Sequence, residues 1–387
     1  MRPEHLHSAC LVLLAILVGR IGWSGHVLLL PVAIAFPVLW SVARDRVTAG
    51  LVSAGYFLAA SRGLPEGVAI YFQSDLWRGL LLWFCASVSF VGVHTALWTR
   101  HRRARPLHYL AAATALAVPP FGITGWAHPV TAAGVLFPEW GWWGLGAMTA
   151  GLMGLVSPLR PAVAMILAGF WLWSAATWTG AGLANGWQGV DLKRGSSLGR
   201  EATLKPQQDL IATVLSQASG ETSVIVLPES ALGSWTPTVE RLWTRSLAGT
   251  PVTVVAGATV FSPDGYDNVL VAVSAAGGRI LYRERMPVPG SMWQPWRTFL
   301  GDSGGASADF FTNPVIDLYG QRISALICYE QLLVWPVLSS MLYQPDILVA
   351  VGNGWWTAGT SIVAIQRAST EAWARLFSTP LVLSFNT

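Results

Sequence analysis

The stretch ISALICYEQ, residues 323–331, ends an apolar, partly β-branched run on a thiol, a phenol and a carboxylate: Cys328, Tyr329 and Glu330. Such a run reads as a buried strand. Cys328 is the only cysteine after Cys85, and no histidine follows His128. A lone thiol at a strand end has two uses. It is a small hydrophobe of the core, or it is a nucleophile whose proton leaves to a carboxylate, since no imidazole is at hand. Glu229 is such a carboxylate, closing the run VIVLPES over 224–230. Cys10 and Cys85 lie in apolar segments, so the C-terminal half has no internal disulfide. An unpaired thiol in an oxidising space is a liability, which favours a thiol kept for use.

Both residues need strands to place them. Strand patterns run over 223–228, 252–260, 268–275, 279–284, 323–329, 346–352 and 380–385, with helical stretches at 205–219, 330–341 and 359–377. Strands alternating with helices give a sheet with helices on its faces. In such folds the active residues gather at the carboxyl ends of strands, where Glu229 and Cys328 both fall.

The first half differs in kind. The chain of 387 residues is 53% hydrophobic and 11% charged, where a soluble domain has about 25% charged residues. Apolar segments long enough to suggest membrane helices run over 8–24, 26–43, 48–62, 77–98, 107–125, 131–157 and 160–179. The expected architecture is a membrane α-helical bundle of about seven spans over 1–180, then an α/β domain over 181–387. The composition changes between Thr179 and Gln188. Arg2, Arg44, Arg46, Arg100, Arg102, Arg103, Arg105 and Arg160 all fall on one side of seven spans. By the positive-inside rule that side is cytoplasmic, which predicts an inner-membrane protein with a periplasmic C-terminal domain. The first segment holds Arg20 and lacks the small-residue cleavage site of a signal peptide. The net charge of +4 comes in part from arginines flanking these segments, so no direct nucleic-acid binding is expected.

The motifs resemble the nitrilase (carbon-nitrogen hydrolase) superfamily. VLPES (226–230) is similar to its glutamate motif and ALICYE (325–330) to its nucleophile motif. The layout resembles that of apolipoprotein N-acyltransferase, in which a multi-span bundle precedes a nitrilase-like α-β-β-α sandwich. VGNGWW (351–356), IQRASTEAWAR (365–375) and FNT (385–387) are similar to stretches of that branch. GWSGH (22–26), GYFLAASRGLPEGVAI (55–70) and MPVPGSMWQPW (286–296) resemble a family of conjugal-transfer proteins of rhizobial and agrobacterial plasmids. These resemblances imply Glu229 as base, Cys328 as nucleophile with Glu330 beside it, and a lysine ammonium to stabilise the oxyanion. They also imply a role in conjugative plasmid transfer, with membrane lipid and other conjugation proteins as partners.

One part is missing. The family's lysine segment, Tyr-x-Lys-x-x-Leu-x-Pro-x-Gly-Glu, aligns to LYRERMPVPGSMW (281–293) through Tyr282, which puts Glu284 in the lysine position. The chain has only two lysines, Lys193 and Lys205, and both precede Glu229. Arg283 and Arg285 flank the position. Either could hold an oxyanion but neither could act as an acid. A second carboxylate near Glu229 would also oppose thiolate formation. The expectation is therefore either an altered, catalytically weak site or an active Cys-dependent N-acyltransferase or amidase. Tyr329, Trp235, Trp293 and Trp355, with Trp296 and Trp356, are candidates to line an acyl groove; the alternative is an interfacial belt of tryptophans. His94 and His108, in or near apolar segments, are further candidates. With one cysteine and no histidine after residue 180, no metal site is expected. No cofactor is expected either, as no phosphate-binding glycine loop is present. The acyltransferase's last membrane helix also has no counterpart before Thr387.

Overall fold

The apolar first half of the chain folds into helices, most of them short. The computed structural model describes residues 3–199, 204–218 and 222–387; Arg2 and the end of the helix expected over 205–219 lie outside them. By internal contacts the chain forms two units. One takes in Met1–Ala181, Leu332–Trp335 and Gly359–Ser378, the other Gly182–Gln331, Pro336–Ala358 and Thr379–Thr387.

The seven-span bundle is not what forms. Among the described residues, two helices are long and apolar enough to cross a membrane, His5–Gly22 and Leu76–Ala96. A span needs about 20 helical residues, but Arg46–Ala60, Arg105–Ala117 and Gly141–Leu155 have 15, 13 and 15. The causes are local. Pro31 sits in a 3-10 stretch, Val27–Ile34, and α-helix resumes only over Ala35–Val42. Pro138 separates the short turn Ala133–Leu136 from Gly141–Leu155. Proline lacks the amide proton and crowds the preceding turn. Asp45 starts a helix of its own by accepting from Thr48 N at 2.8 Å. Without seven spans, the odd count that put the C-terminal half in the periplasm is lost.

This unit buries an aromatic cluster. Phe36 stacks on Tyr56 at 4.4 Å, and Phe90 lies 5.0 Å from Phe57. Tyr56 accepts from Trp23 Nε1 at 2.8 Å and donates to the Ala127 carbonyl at 2.7 Å.

The second unit is a layered α/β structure. Its first sheet runs β1 (Trp187–Gly189), β2 (Val224–Val226), β3 (Thr253–Ser262), β4 (Gly265–Ser274) and β5 (Gly277–Arg283). The first three are mutually parallel and the last two antiparallel. The second sheet runs β6 (Ile316–Leu318), β7 (Gln321–Ile327), β8 (Ile347–Asn353) and β9 (Leu381–Asn386), the last three parallel. Alternation decides the faces. Val226, Val255, Leu270 and Ala272 pack on Ala325, Ile327, Val349 and Val382 in a core between the sheets. Val254, Ala256, Val269 and Val271 point the other way, onto Leu210, Val214 and Trp243 of helices Leu204–Gln217 and Pro237–Ser246. The strands expected from sequence are present. β1 and β6, three residues each, and helix Pro237–Ser246 have signals too short or too polar to read beforehand.

One glycine fits this unit to its chemistry. A Cβ on Gly257 of β3 would stand 2.4 Å from Glu229 Cα and 2.5 Å from Ser230 N. Gly257→Ala should lower stability by about 1–3 kcal/mol through overpacking. It should also slow alkylation of Cys328, because the Glu229 turn must move. Thermal melts and iodoacetamide kinetics on the full-length protein check both.

Candidate active site

Cys328 follows β7 directly and adopts φ +45°. Ser230, the residue after Glu229, adopts φ +62°. Left-handed backbone at a non-glycine residue costs roughly 1–2 kcal/mol and persists where its surroundings impose it. At Cys328 the surroundings include Glu330, whose Oε2 accepts from Ile327 N at 2.9 Å and ties the turn back to the strand.

The Cys328 thiol hydrogen-bonds Glu229. The Glu229 carboxylate is 6% exposed and held on both oxygens: Oε1 accepts from Asn268 Nδ2 at 2.8 Å and Oε2 from Asn353 N at 2.9 Å. Asn268 lies on β4 with the parity of Leu270 and Ala272, so it faces the core between the sheets. Asn353 ends β8, and its Oδ1 accepts from Asn386 Nδ2 at 2.8 Å. Burial pushes the Glu229 carboxyl up, the Asn268, Cys328 and Asn353 donors oppose this, and the nearby Glu330 charge adds to it.

Glu284 follows β5, and its N–H donates to the Asn268 carbonyl at 2.8 Å. Its Oε2 accepts from the same Asn268 amide nitrogen at 2.9 Å. Glu284 is 4% exposed, and its Oε1 has no hydrogen-bond partner among the described residues. Burial first, then the charges of Glu229 and Glu330, drive its carboxyl well above the usual carboxylate range.

The two arginines part company. Arg283 is half exposed and pairs with Asp267. Arg285 is buried: Nε donates to Tyr282 Oη at 2.8 Å, Nη1 to Ser339 at 2.9 Å, and Nη2 to the Pro336 carbonyl at 2.9 Å and Ser340 at 3.1 Å. Its Nε stands 3.8 Å from Glu330 Oε1. Glu330 Oε1 also accepts from Tyr282 Oη at 2.7 Å and Arg285 N at 2.9 Å. Burial raises the Glu330 carboxyl against the pull of the Arg285 charge and the Ile327 amide. Glu330 thus ties the Tyr282–Met286 segment to the Cys328 turn, and Arg285 is committed to that tie. Every donor nitrogen of its guanidinium is already engaged.

The other candidates scatter. Tyr329 is half-buried beside Cys328. Trp355 is half-buried in the turn Trp355–Thr357, two residues beyond Asn353. Trp293 packs edge-on against Phe310 at 5.3 Å. Trp235 is not brought to the cysteine: it packs with Val239 and Ile280 on the far face of the first sheet. In the helical unit, His94 Nδ1 pairs with the Phe90 carbonyl at 2.9 Å and His108 Nδ1 with the Leu97 carbonyl at 2.8 Å. Sequence reading missed Asn268, whose only signal is a polar residue opening the apolar run NVLVAV over 268–273.

A buried thiol on a strand-end turn thus meets a carboxylate that follows a strand of the other sheet, a pairing suited to thiol chemistry on a carbonyl. The carbon-nitrogen hydrolase pattern matches residues 58–375, and the chain belongs to that family. It is 66% identical over 387 residues, 100% of both chains, to a protein of Sinorhizobium fredii named probable conjugal transfer protein TraB. It is 60% identical over 390 residues to conjugal transfer protein TraB of Agrobacterium fabrum, covering 98% of this chain and 93% of that one. Among solved structures, the carbon-nitrogen hydrolase of Helicobacter pylori G27 is similar over 51% of this chain and 71% of its own, at 15% identity and a TM-score of 0.37.

Two outcomes follow. Arg285→Ala strands the buried Glu330 and should cost about 3–5 kcal/mol in denaturant unfolding. Glu284→Gln should gain stability relative to wild type as pH rises. The folded Glu284 carboxyl holds its proton above the value of the unfolded chain, so wild-type stability falls as pH climbs past about 4.3, where unfolded glutamate ionises. Gln has no proton to lose. Unfolding of both proteins from pH 4 to 8 measures the divergence.

Proposed function

We propose that this protein supports conjugative plasmid transfer as a membrane-associated thiol acyltransferase or amidase with Cys328 as nucleophile and Glu229 as base. The observation behind this reading is the Cys328–Glu229 hydrogen bond at a strained turn. Strain and buried charge both cost stability, and an inert core cysteine needs neither. In the proposed reaction the Sγ proton passes to Glu229 as sulfur bonds to the acyl carbon, and the carbonyl π pair moves onto oxygen. Collapse restores the carbonyl, breaks the bond to the leaving amine and returns the proton to it. Water or a second amine, deprotonated by Glu229, then resolves the thioester. Asn353 N and Asn268 keep Glu229 aimed.

The family's lysine is replaced in this reading by Glu284. Membrane association is supported by the two long apolar helices and by exposed apolar side chains such as Leu81, Phe84, Ile166, Leu172 and Trp173 in the helical unit. The lipid or cell-envelope amide it would act on, and the conjugation proteins it would work beside, follow from the relatives' names and the family chemistry. A second reading, a scaffold with an idle site, is favoured by the sequence itself, which has no lysine after Lys205. Conjugation frequency separates the two. Cys328→Ala and Glu229→Gln should each lower transfer by about 100-fold or more if turnover matters. Wild-type transfer from both would leave the scaffold standing. Alkali-resistant retention of the protein in the membrane fraction checks the association.

A further inference from the structure

Three carboxylates and one thiol meet in a site that holds one committed guanidinium. Glu330 has Arg285, Tyr282 and three backbone amides. Glu229 has three donors: Asn268, Asn353 N and the Cys328 thiol. Glu284 has one, and shares it, since the Asn268 amide nitrogen serves Glu229 Oε1 and Glu284 Oε2 together. Two ionised carboxylates on one neutral amide, buried and without a cation between them, repel strongly. One must hold a proton, and the carboxylate with fewer donors gives up least by taking it.

That carboxylate is Glu284, and its other oxygen is the informative one. Oε1 is buried and unpartnered among the described residues. A buried polar atom left unpaired costs roughly 1–3 kcal/mol, and this one belongs to the carboxylate that shares the Asn268 amide with Glu229, the hydrogen-bond partner of Cys328. We propose that Glu284 is a neutral carboxylic acid that donates a hydrogen bond from Oε1 to the oxygen of the acyl group attacked by Cys328, doing for this site what an ammonium does in the family. The inference rests on Cys328 being the nucleophile. Glu284 keeps its proton throughout, while the Sγ proton cycles through Glu229. A carboxylic acid held neutral by an apolar site can donate in this way. Burial and the charges of Glu229 and Glu330 keep it protonated. The groups facing Glu284 are Glu229, Glu330, Asn268 and, through Glu229, Cys328. None of them is a cation that would pull the proton off.

The test uses full-length protein and two reagents. Acylation of Cys328 by 4-nitrophenyl acetate, read by intact mass, needs an oxyanion donor; alkylation by iodoacetamide needs only the thiolate. Glu284→Ala should slow acylation about 100- to 1000-fold while alkylation stays close to wild type. Glu284→Gln, which keeps an N–H donor, should lose only about 10-fold in acylation. It should leave the pH midpoint of alkylation in place, because no charge has been removed. A fall in that midpoint would mean that Glu284 was ionised, and equal losses in Gln and Ala would mean that it is not a donor; either overturns the proposal. Should the alanine variant misfold, infrared difference spectra of wild type minus Glu284→Gln at neutral pH must still show a protonated-carboxyl band, and its absence overturns the proposal. A wild-type thiol that takes iodoacetamide but no acetyl group sinks the inference alone. A thiol that takes neither sinks the nucleophile reading and the inference with it.

Discussion

Charge is the scarce quantity in this site. Glu229, Glu284 and Glu330 are all 6% exposed or less, and the one buried cation among them is Arg285. Ions in a medium of low polarity need partners or protons. The surrounding architecture answers that need. β4 brings the Asn268 amide, the end of β8 brings an N–H, and the segment after β5 brings Arg285 and the backbone donors for Glu330. Removing any one of these leaves an uncompensated charge beside the thiol, so the sheets are registered as much by this polar network as by the apolar core between them.

Cys328 and Glu229 reach each other through two turns of unusual backbone. β7 ends at Ile327 and β2 at Val226, and the chain then passes through Cys328 and Ser230 with positive φ. By alternation, a residue that continued either strand at 328 or 229 would point away from the layer of Ile327 and Val226, toward the outer face of its sheet. The reversal lifts the thiol and the carboxylate to the common rim of the two sheets. Gly257 has no side chain to hold the Glu229 turn away. Arg285 serves as a fixed tie and not as a movable charge.

In the helical unit, hydropathy and helix length separate. Apolar composition is spread through residues 8–179, but Pro31, Pro138 and the Asp45 cap divide it into pieces, and several are shorter than a bilayer. An aromatic cluster around Phe36, Tyr56, Phe57 and Phe90 is buried inside the unit, while side chains such as Leu81, Phe84 and Leu172 stay exposed. Sliding composition along a chain cannot distinguish an apolar residue that meets lipid from one that meets another helix.

Local pattern was enough to find the strands β2–β5 and β7–β9, the thiol at one strand end and the glutamate at another, because alternation and strand-end polarity are properties of a few consecutive residues. The same pattern displayed the oddity at Glu284. It could not tell which arginine turns inward, since Arg283 and Arg285 are two apart on a segment whose facing is set by partners 45 and more residues away, Glu330 and Ser339 among them. Nor could it show that Asn268 serves two carboxylates, or that Trp235 lies on the far face of its sheet. The residue types were written in the chain. Their protonation and pairing depend on distances between strands remote in sequence, and only the packed tertiary structure sets those.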